Sequence, residues 1–287
     1  MPAPKLAAVT MVYNEPQLLP LWARHYSHHV GAENCFVIDH GSDDGSTRHL
    51  GAIRVIALPR SPHDDAWRAR LVSRIAAELL GRYDAVIHTD VDELVVPDPR
   101  FHAALPDWCG ACRHEVVTAV GLNVMQVAEE PAIDPARPVS TQRRFVAFSS
   151  ALCKPVLIRR PVAWAPGFHC ADAPVVFDNL FLFHLRYHDR AQALARLGKT
   201  RGMDWADASA GAHQRVSDAE FLDMLDNFAR MPRQAHVPFD VGLPPMWDWV
   251  RKVLDSRVGR EGQTYTIDLH INCYELWPIA PRFLGSF

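Results

Sequence analysis

Through the first hundred residues, short apolar runs alternate with stretches of helical period, and this alternation constrains the fold more than any other feature. Residues 6–12, 35–38, 53–58 and 85–89 are near-continuous apolar runs rich in Val, Ile and Ala, as expected of strands covered on both faces. Between them, Leu18, Leu19, Leu21, Trp22 and Tyr26 fall on one helical face that stops at Gly31. Trp67, Leu71, Ile75 and Leu79 recur at i+4 steps behind Asp64 and Asp65, with Gly81 beyond. Strands joined by helical crossovers build parallel sheets. The expectation is an α/β fold: a mostly parallel, Rossmann-like sheet flanked by helices.

Further strands near residues 115–123, 155–159 and 179–184 would extend that sheet. After Asp189 the signals turn helical, with candidates at 190–197, after Ser217 with Glu220 as its capping-box partner, and at 247–258. This divides the chain into a core at 1–189 and a C-terminal helical segment at 190–287. At 287 residues the chain is long enough to bury a core of its own. Thirty Lys plus Arg against 33 Asp plus Glu leave a net charge of −3, unlike a chain built to lie along phosphate backbones, so nucleic acid is excluded as a partner. No apolar run approaches the roughly 18 to 20 residues of a transmembrane helix. The first apolar run ends in Asn14, Glu15 and Pro16 with no small-residue cleavage site, and so reads as a strand and not as a signal peptide. The six cysteines are scattered, which fits a reducing cytoplasm. Cys109 and Cys112 could form a redox pair or half a zinc site, but no second pair stands at useful spacing.

Three loops carry candidate chemistry. Asp90-Val91-Asp92 follows the fourth strand directly, where two carboxylates two residues apart can point into one crevice at the strand ends. Hard oxygen ligands of this kind suit Mg²⁺ or Mn²⁺, typically together with a substrate's phosphates; a solvated acidic loop or a helix cap is the plainer reading. Tyr13, Asn14 and Glu15 follow the first strand, where a ring and backbone amides can hold a flat base and Glu15 can accept from a hydroxyl. They equally describe a capped helix start. In the turn at 39–46, Asp39 either accepts from a base N–H or satisfies turn amides.

Together these pieces resemble a known family. A strand ending in Tyr-Asn-Glu, a strand ending in Asp-His-Gly-Ser-Asp-Asp-Gly-Ser, a helix carrying Arg74 and a strand ending in Asp-Val-Asp-Glu look like the nucleotide-sugar half of family 2 glycosyltransferases, with the GT-A fold. Asp-Val-Asp-Glu before Leu-Val-Val-Pro, then Lys154-Pro155-Val156 and His-Leu-Arg-Tyr, resemble the bacterial family-2-like subgroup akin to family 92. The clear match covers about residues 5–97.

The resemblance implies a metal-dependent, inverting transfer of a sugar from a nucleotide diphosphate sugar, UDP-sugar first, to an acceptor hydroxyl of a glycan or lipid-linked glycan, as part of making a cell-surface glycan precursor. By this resemblance Tyr13 and the strand before it line the nucleobase slot, Asp39 closes it, and His40 stands where many relatives carry a second acid. Arg74, sixteen positions before Asp90, holds the nucleotide. Asp90 lies near the ribose and the Mn²⁺ or Mg²⁺, Asp92 ligates the metal directly, and His184 is the late histidine ligand. Asp172, then Asp178, are the candidates for the base that deprotonates the acceptor. Lys199 and Arg201 would cover the diphosphate, and the 190–287 segment would shape the acceptor side. Such an enzyme would be cytoplasmic and at most peripheral at the inner membrane. Two other readings remain open: a sugar nucleotidyltransferase, in which a Gly-rich basic loop is expected where this chain has Tyr-Asn-Glu-Pro, and a non-catalytic nucleotide- or carbohydrate-binding protein.

Overall fold

A computed structural model describes residues 4–207, 209, 211–235, 237–260 and 262–287. The chain opens with strand β1 (Leu6–Val12), helix α1 (Leu18–Val30), strands β2 (Cys35–Asp39) and β3 (Arg54–Ala57), helix α2 (Asp65–Leu79) and strand β4 (Ala85–His88). These strands pair in parallel in the order β4-β1-β2-β3. Along β1 the side chains alternate between two cores. Leu6, Ala8 and Val12 pack with Leu18, Leu19, Trp22 and Tyr26 of α1, while Ala7, Val9 and Met11 pack with Ala69, Val72 and Ala76 of α2. The period of two puts the helices on opposite faces, which is why β1 has no polar side. Asp64 starts α2 by accepting the Trp67 N–H at 2.9 Å, and α1 gives way at Gly31, whose φ of 86° suits glycine.

Beyond β4 come strand β5 (Glu93–Pro97), helix α3 (Leu105–Ala111) and strands β6 (Val116–Met125), β7 (Phe145–Phe148), β8 (Pro155–Ile158) and β9 (Phe177–Tyr187). They do extend the sheet, as the sequence implies, through a mixed region. β8 joins β4 to β6 in antiparallel pairing, and β9 runs parallel to β6 and antiparallel to β5. Helices α4 (Arg190–Arg201), α5 (Asp218–Ala229) and α6 (Met246–Asp255) follow. Ser217 and Glu220 form the expected capping box at the start of α5. The chain then returns to the sheet as β10 (Trp277–Pro278), on β7. None of the described helices is long and apolar enough to cross a membrane.

Two features of this topology position the site. The parallel strands end on one edge, so the loop after β1 and the turn between β4 and β5 lie side by side. The long pair β6 and β9 then carries its own polar residues to that edge, with His184 in register between Asn123 and Glu93.

Candidate active site

A cleft of about 540 Å³ opens at this edge. Its floor is the end of β1 and the β4–β5 turn, and its walls come from α2, the 149–154 segment, the His169 loop and α4. The turn is tight: the Glu93 amide donates to the Asp90 carbonyl at 3.0 Å, the Asp90 amide to Glu93 Oε2 at 3.0 Å, and the Leu185 amide to the Asp92 carbonyl at 2.7 Å. Val91 is buried beneath it. Both aspartates therefore face the cleft, as their spacing implies.

Each acid is matched by cations from distant parts of the chain. Asp90 Oδ1 receives Arg68 from α2 at 3.3 Å, and Oδ2 receives Lys154 Nζ at 2.8 Å. Lys154 also reaches Glu93 at 2.6 Å. Burial would raise the Asp90 pKa, but Lys154 and Arg68 outweigh it and hold the carboxyl well below its ordinary range. Glu93 moves the other way: burial pushes it up, and Asp90 adds to that against the pull of Lys154. Asp92, almost fully buried, meets Arg196 of α4 and His184 Nε2, the latter at 3.1 Å. Burial again acts upward on Asp92, and Arg196 and His184 override it.

Across the cleft, Glu15 is clamped by Arg196 at 3.1 Å and by Lys199. Lys199 also donates to the Tyr13 and Asn14 carbonyls at 2.9 and 3.0 Å. α4 is thus pinned to the β1 loop and to Asp92 by two side chains one turn apart. At the cleft's other end, Arg60 stacks 3.8 Å from the centroid of the Tyr13 ring and donates to His40 Nδ1 at 3.0 Å. Burial, then the Arg60 charge, pulls His40 down to about 4, so it is a neutral acceptor.

Tyr13, Glu15, His40, Asp90, Asp92 and His184 all line the cleft. Asn14 does not. Its side chain joins the β1 loop to the β2 loop through Asp43 at 2.7 Å, with its backbone at a φ of 49°. Asp39 is spent within its own turn, accepting from the Ser42 amide at 2.8 Å and Thr47 Oγ1 at 2.7 Å. Asp39 is not among the residues that line the cleft. Arg74 lies on α2 outside the cleft, and Arg68, earlier on the same helix, faces in. Asp172 and Asp178 are also outside: Asp172 accepts the Ala163 amide at 2.8 Å, and Asp178 sits by Trp108, whose indole donates to its carbonyl at 2.8 Å. The base expected at these two positions is not in the cleft. Of the two covering cations, Lys199 lines the cleft, while Arg201 turns away to Asp218. Cys109 and Cys112 are free, buried thiols.

No family model and no curated protein matches this chain. Solved structures similar to it include a mannosyltransferase from Pyrobaculum calidifontis in complex with GDP-Man and Mn²⁺, at 16% identity and a TM-score of 0.30 over 44% of this chain and 36% of that one. A cytidylyltransferase from Leptospira borgpetersenii is 12% identical at a TM-score of 0.26, over 40% and 53%. A mannose-1-phosphate geranyltransferase from Thermus thermophilus is 12% identical at 0.31, over 68% and 60%. The chain spans less than two thirds of the length of each. Similarity at this level does not bear on function.

Among the described residues, no three His, Cys, Asp or Glu side chains form a ready metal cluster. Both expected acidic ligands already meet partners, Asp90 through Arg68 and Lys154 and Asp92 through Arg196 and His184. Asp92 and His184 offer two donors to a divalent ion once Arg196 leaves Asp92 Oδ2. His184 Nδ1 lies 2.8 Å from Asn123 Oδ1, and when that nitrogen carries the donated proton, Nε2 and Asp92 Oδ2 present lone pairs to one point. One carboxylate and one imidazole, completed by water and phosphate oxygens, form a donor set suited to Mn²⁺.

Proposed function

We propose that this chain is a glycosyltransferase that moves a sugar from a nucleotide diphosphate sugar to an acceptor hydroxyl. The observation that carries the reading is the lining of one cleft. An aromatic slot at Tyr13, bordered by Arg60 and by Lys199 at the Tyr13 carbonyl, shares the cleft with Asp92 and His184, and Arg68, Lys154 and Arg196 also line it. The slot suits a flat base. The cations suit a diphosphate, because guanidinium and ammonium groups in a partly dehydrated cleft bind phosphate oxygens strongly. Mn²⁺ or Mg²⁺ held by Asp92 and His184 would supply Lewis acidity for the charge that collects on the leaving diphosphate.

The protein's own groups have definite tasks in this reading. Arg60 and His40 frame the base beside Tyr13. Arg196 and Lys199, which rest on Asp92 and Glu15, transfer to the phosphates when the donor enters, so the charge of the departing nucleotide is met by side chains already in place. UDP is the leading nucleotide on the family resemblance, and the acceptor is a glycan or lipid-linked glycan on the same ground.

Thermal shift with UDP, CDP, GDP and dTDP, with and without Mn²⁺, tests the reading. One diphosphate should raise the melting temperature more strongly with metal present, and donor-sugar hydrolysis should vanish in Asp92→Ala. Release of pyrophosphate from a nucleoside triphosphate and a sugar phosphate would instead make the protein a nucleotidyltransferase.

A further inference from the structure

Asp172 and Asp178 lie outside the cleft, so a group that takes a proton from an attacking hydroxyl has to come from the lining itself. The acids there are engaged. Glu15 is held by Arg196 and Lys199 and Asp65 by Arg68, while Asp90, Asp92 and Glu93 meet Arg68, Arg196 and Lys154 in turn. Three lining histidines are also bonded to charged side chains, His40 to Arg60, His63 to Asp65 and His184 to Asp92. His169 differs. Its Nδ1 lies 2.7 Å from the Ala151 carbonyl, which can only accept, so Nδ1 carries the proton and Nε2 the lone pair. Among the described residues Nε2 has no partner, yet it is not sealed from solvent as the Nε2 atoms of His88 and His188 are.

The loop that carries this ring is firmly anchored. Phe168, 2% exposed, has a φ of 61° and packs against His88 and Trp164 at centroid distances of 4.2 and 6.4 Å. A bulky residue keeps left-handed backbone only where its surroundings over-determine it, and such strain gathers at functional sites. A Cβ on residue 167 would stand 2.9 Å from His169 Nε2, so Gly167 leaves that nitrogen uncovered. Burial, then the charge of Lys154, lowers His169 to about 4, against the Ala151 carbonyl, Asp90 and Asp65, which act upward. The imidazole is therefore unprotonated at neutral pH, as a carboxylate base would be.

We propose that His169 is the general base of this cleft, its Nε2 accepting the proton of the attacking hydroxyl. As the acceptor oxygen bonds to the anomeric carbon, its proton passes to Nε2. The bond from that carbon to the diphosphate oxygen breaks, with its electron pair leaving on the diphosphate, and the imidazolium then returns its proton to water. This role rests on reading the cleft as a glycosyltransferase site.

Nucleotide release from UDP-glucose, UDP-galactose, UDP-N-acetylglucosamine, GDP-mannose and dTDP-rhamnose, with Mn²⁺ present and water as acceptor, tests it on the full chain. His169→Asn keeps an N–H for the Ala151 carbonyl and removes the base, and His169→Ala leaves room for free imidazole. Both should lose roughly a hundredfold or more in kcat, with KM and Mn²⁺-dependent nucleotide binding within about twofold of the wild type. Imidazole at about 100 mM should restore roughly tenfold or more in His169→Ala and nothing in Asp92→Ala. The proposal is overturned if nucleotide binding falls in parallel with kcat, or if imidazole restores nothing, since either result gives His169 a binding or structural role. Release that survives His169→Asn overturns it alone, whereas a wild type that releases no nucleotide from any of these donors overturns the transferase reading with it.

Discussion

Lys154 shows what a single side chain does in this cleft. It is 6% exposed and is the common partner of Asp90 and Glu93. Removing one member of a buried charge group leaves the others uncompensated, which costs about 3–5 kcal/mol, whereas replacing both partners with apolar groups can be nearly neutral. Lys154→Met should therefore lose stability in that range in urea unfolding, and Lys154→Met with Glu93→Leu should recover much of it. Equal losses in the single and double variants would mean that the ammonium does not offset the acid. Lys154 also marks how far the site is readable from the sequence. Tyr13, Glu15, Asp90 and Asp92 announce themselves locally, as polar residues placed just past apolar strands. Their partners do not. Arg68, Asn123 and Arg196 are an arginine on a helix, a strand amide and another helix arginine, and only the fold brings them to the acids. The expectation for Arg74 fails for the same reason: the choice among the arginines of α2 depends on the helix's rotation against the sheet, which one side-chain type cannot reveal. A late histidine can be singled out because His184 follows a strand of aromatic residues, but its bond to Asn123 depends on the pairing of β6 with β9.

At the scale of elements, the apolar runs of β1 to β4 and the faces of α1 and α2 are legible, because long burial patterns outweigh local noise. β5 is not, since Leu94, Val95 and Val96 follow the acid motif without a break and read as its continuation. α3 has seven residues with Pro106 and Gly110 inside, too few turns for a period to register. The antiparallel pairing around β8 leaves no mark in a run of four buried residues. Gly121 supports this half of the sheet and yields a prediction. A Cβ there would stand 2.3 Å from Leu152 Cβ and 2.4 Å from its carbonyl carbon, so only glycine lets the 150–152 turn lie against β6. That turn leads straight to Lys154. Gly121→Ala should cost about 3 kcal/mol, at the upper end for overpacking, seen as a lower urea midpoint at unchanged slope. An unshifted midpoint would mean that the turn yields freely and is not what seats Lys154.

The whole molecule carries a pH dependence set by its buried histidines. His25 on α1 and His88 on β4 are each less than 10% exposed, and burial lowers both to about 3. His188 at the end of β9 is lowered to about 4 by the same cause. In the unfolded chain each would titrate near 6.5. Below that pH the unfolded state binds protons that the folded state refuses, so stability is complete above about 6.5 and falls as pH drops toward 4. The loss is about 2 kcal/mol for each such histidine at pH 5, at 1.36 kcal/mol per pH unit. Asp90 and Asp92, held down by their cations, lose protection only at lower pH, while Glu93, pushed up by burial, shifts the wild type and a His88 variant alike and so cancels in their comparison. His88 isolates the effect. Its Nε2 has no hydrogen-bond partner, and its ring lies against Trp164 and Phe168 at centroid distances of 5.3 and 4.2 Å, so an apolar side chain of similar size forfeits little. His88→Leu should match the wild type within about 1 kcal/mol at pH 7.5 and exceed it by about 2 kcal/mol at pH 5. Urea unfolding of both proteins from pH 5 to 8 measures this directly, and parallel stability curves would show that His88 takes up its proton without unfolding.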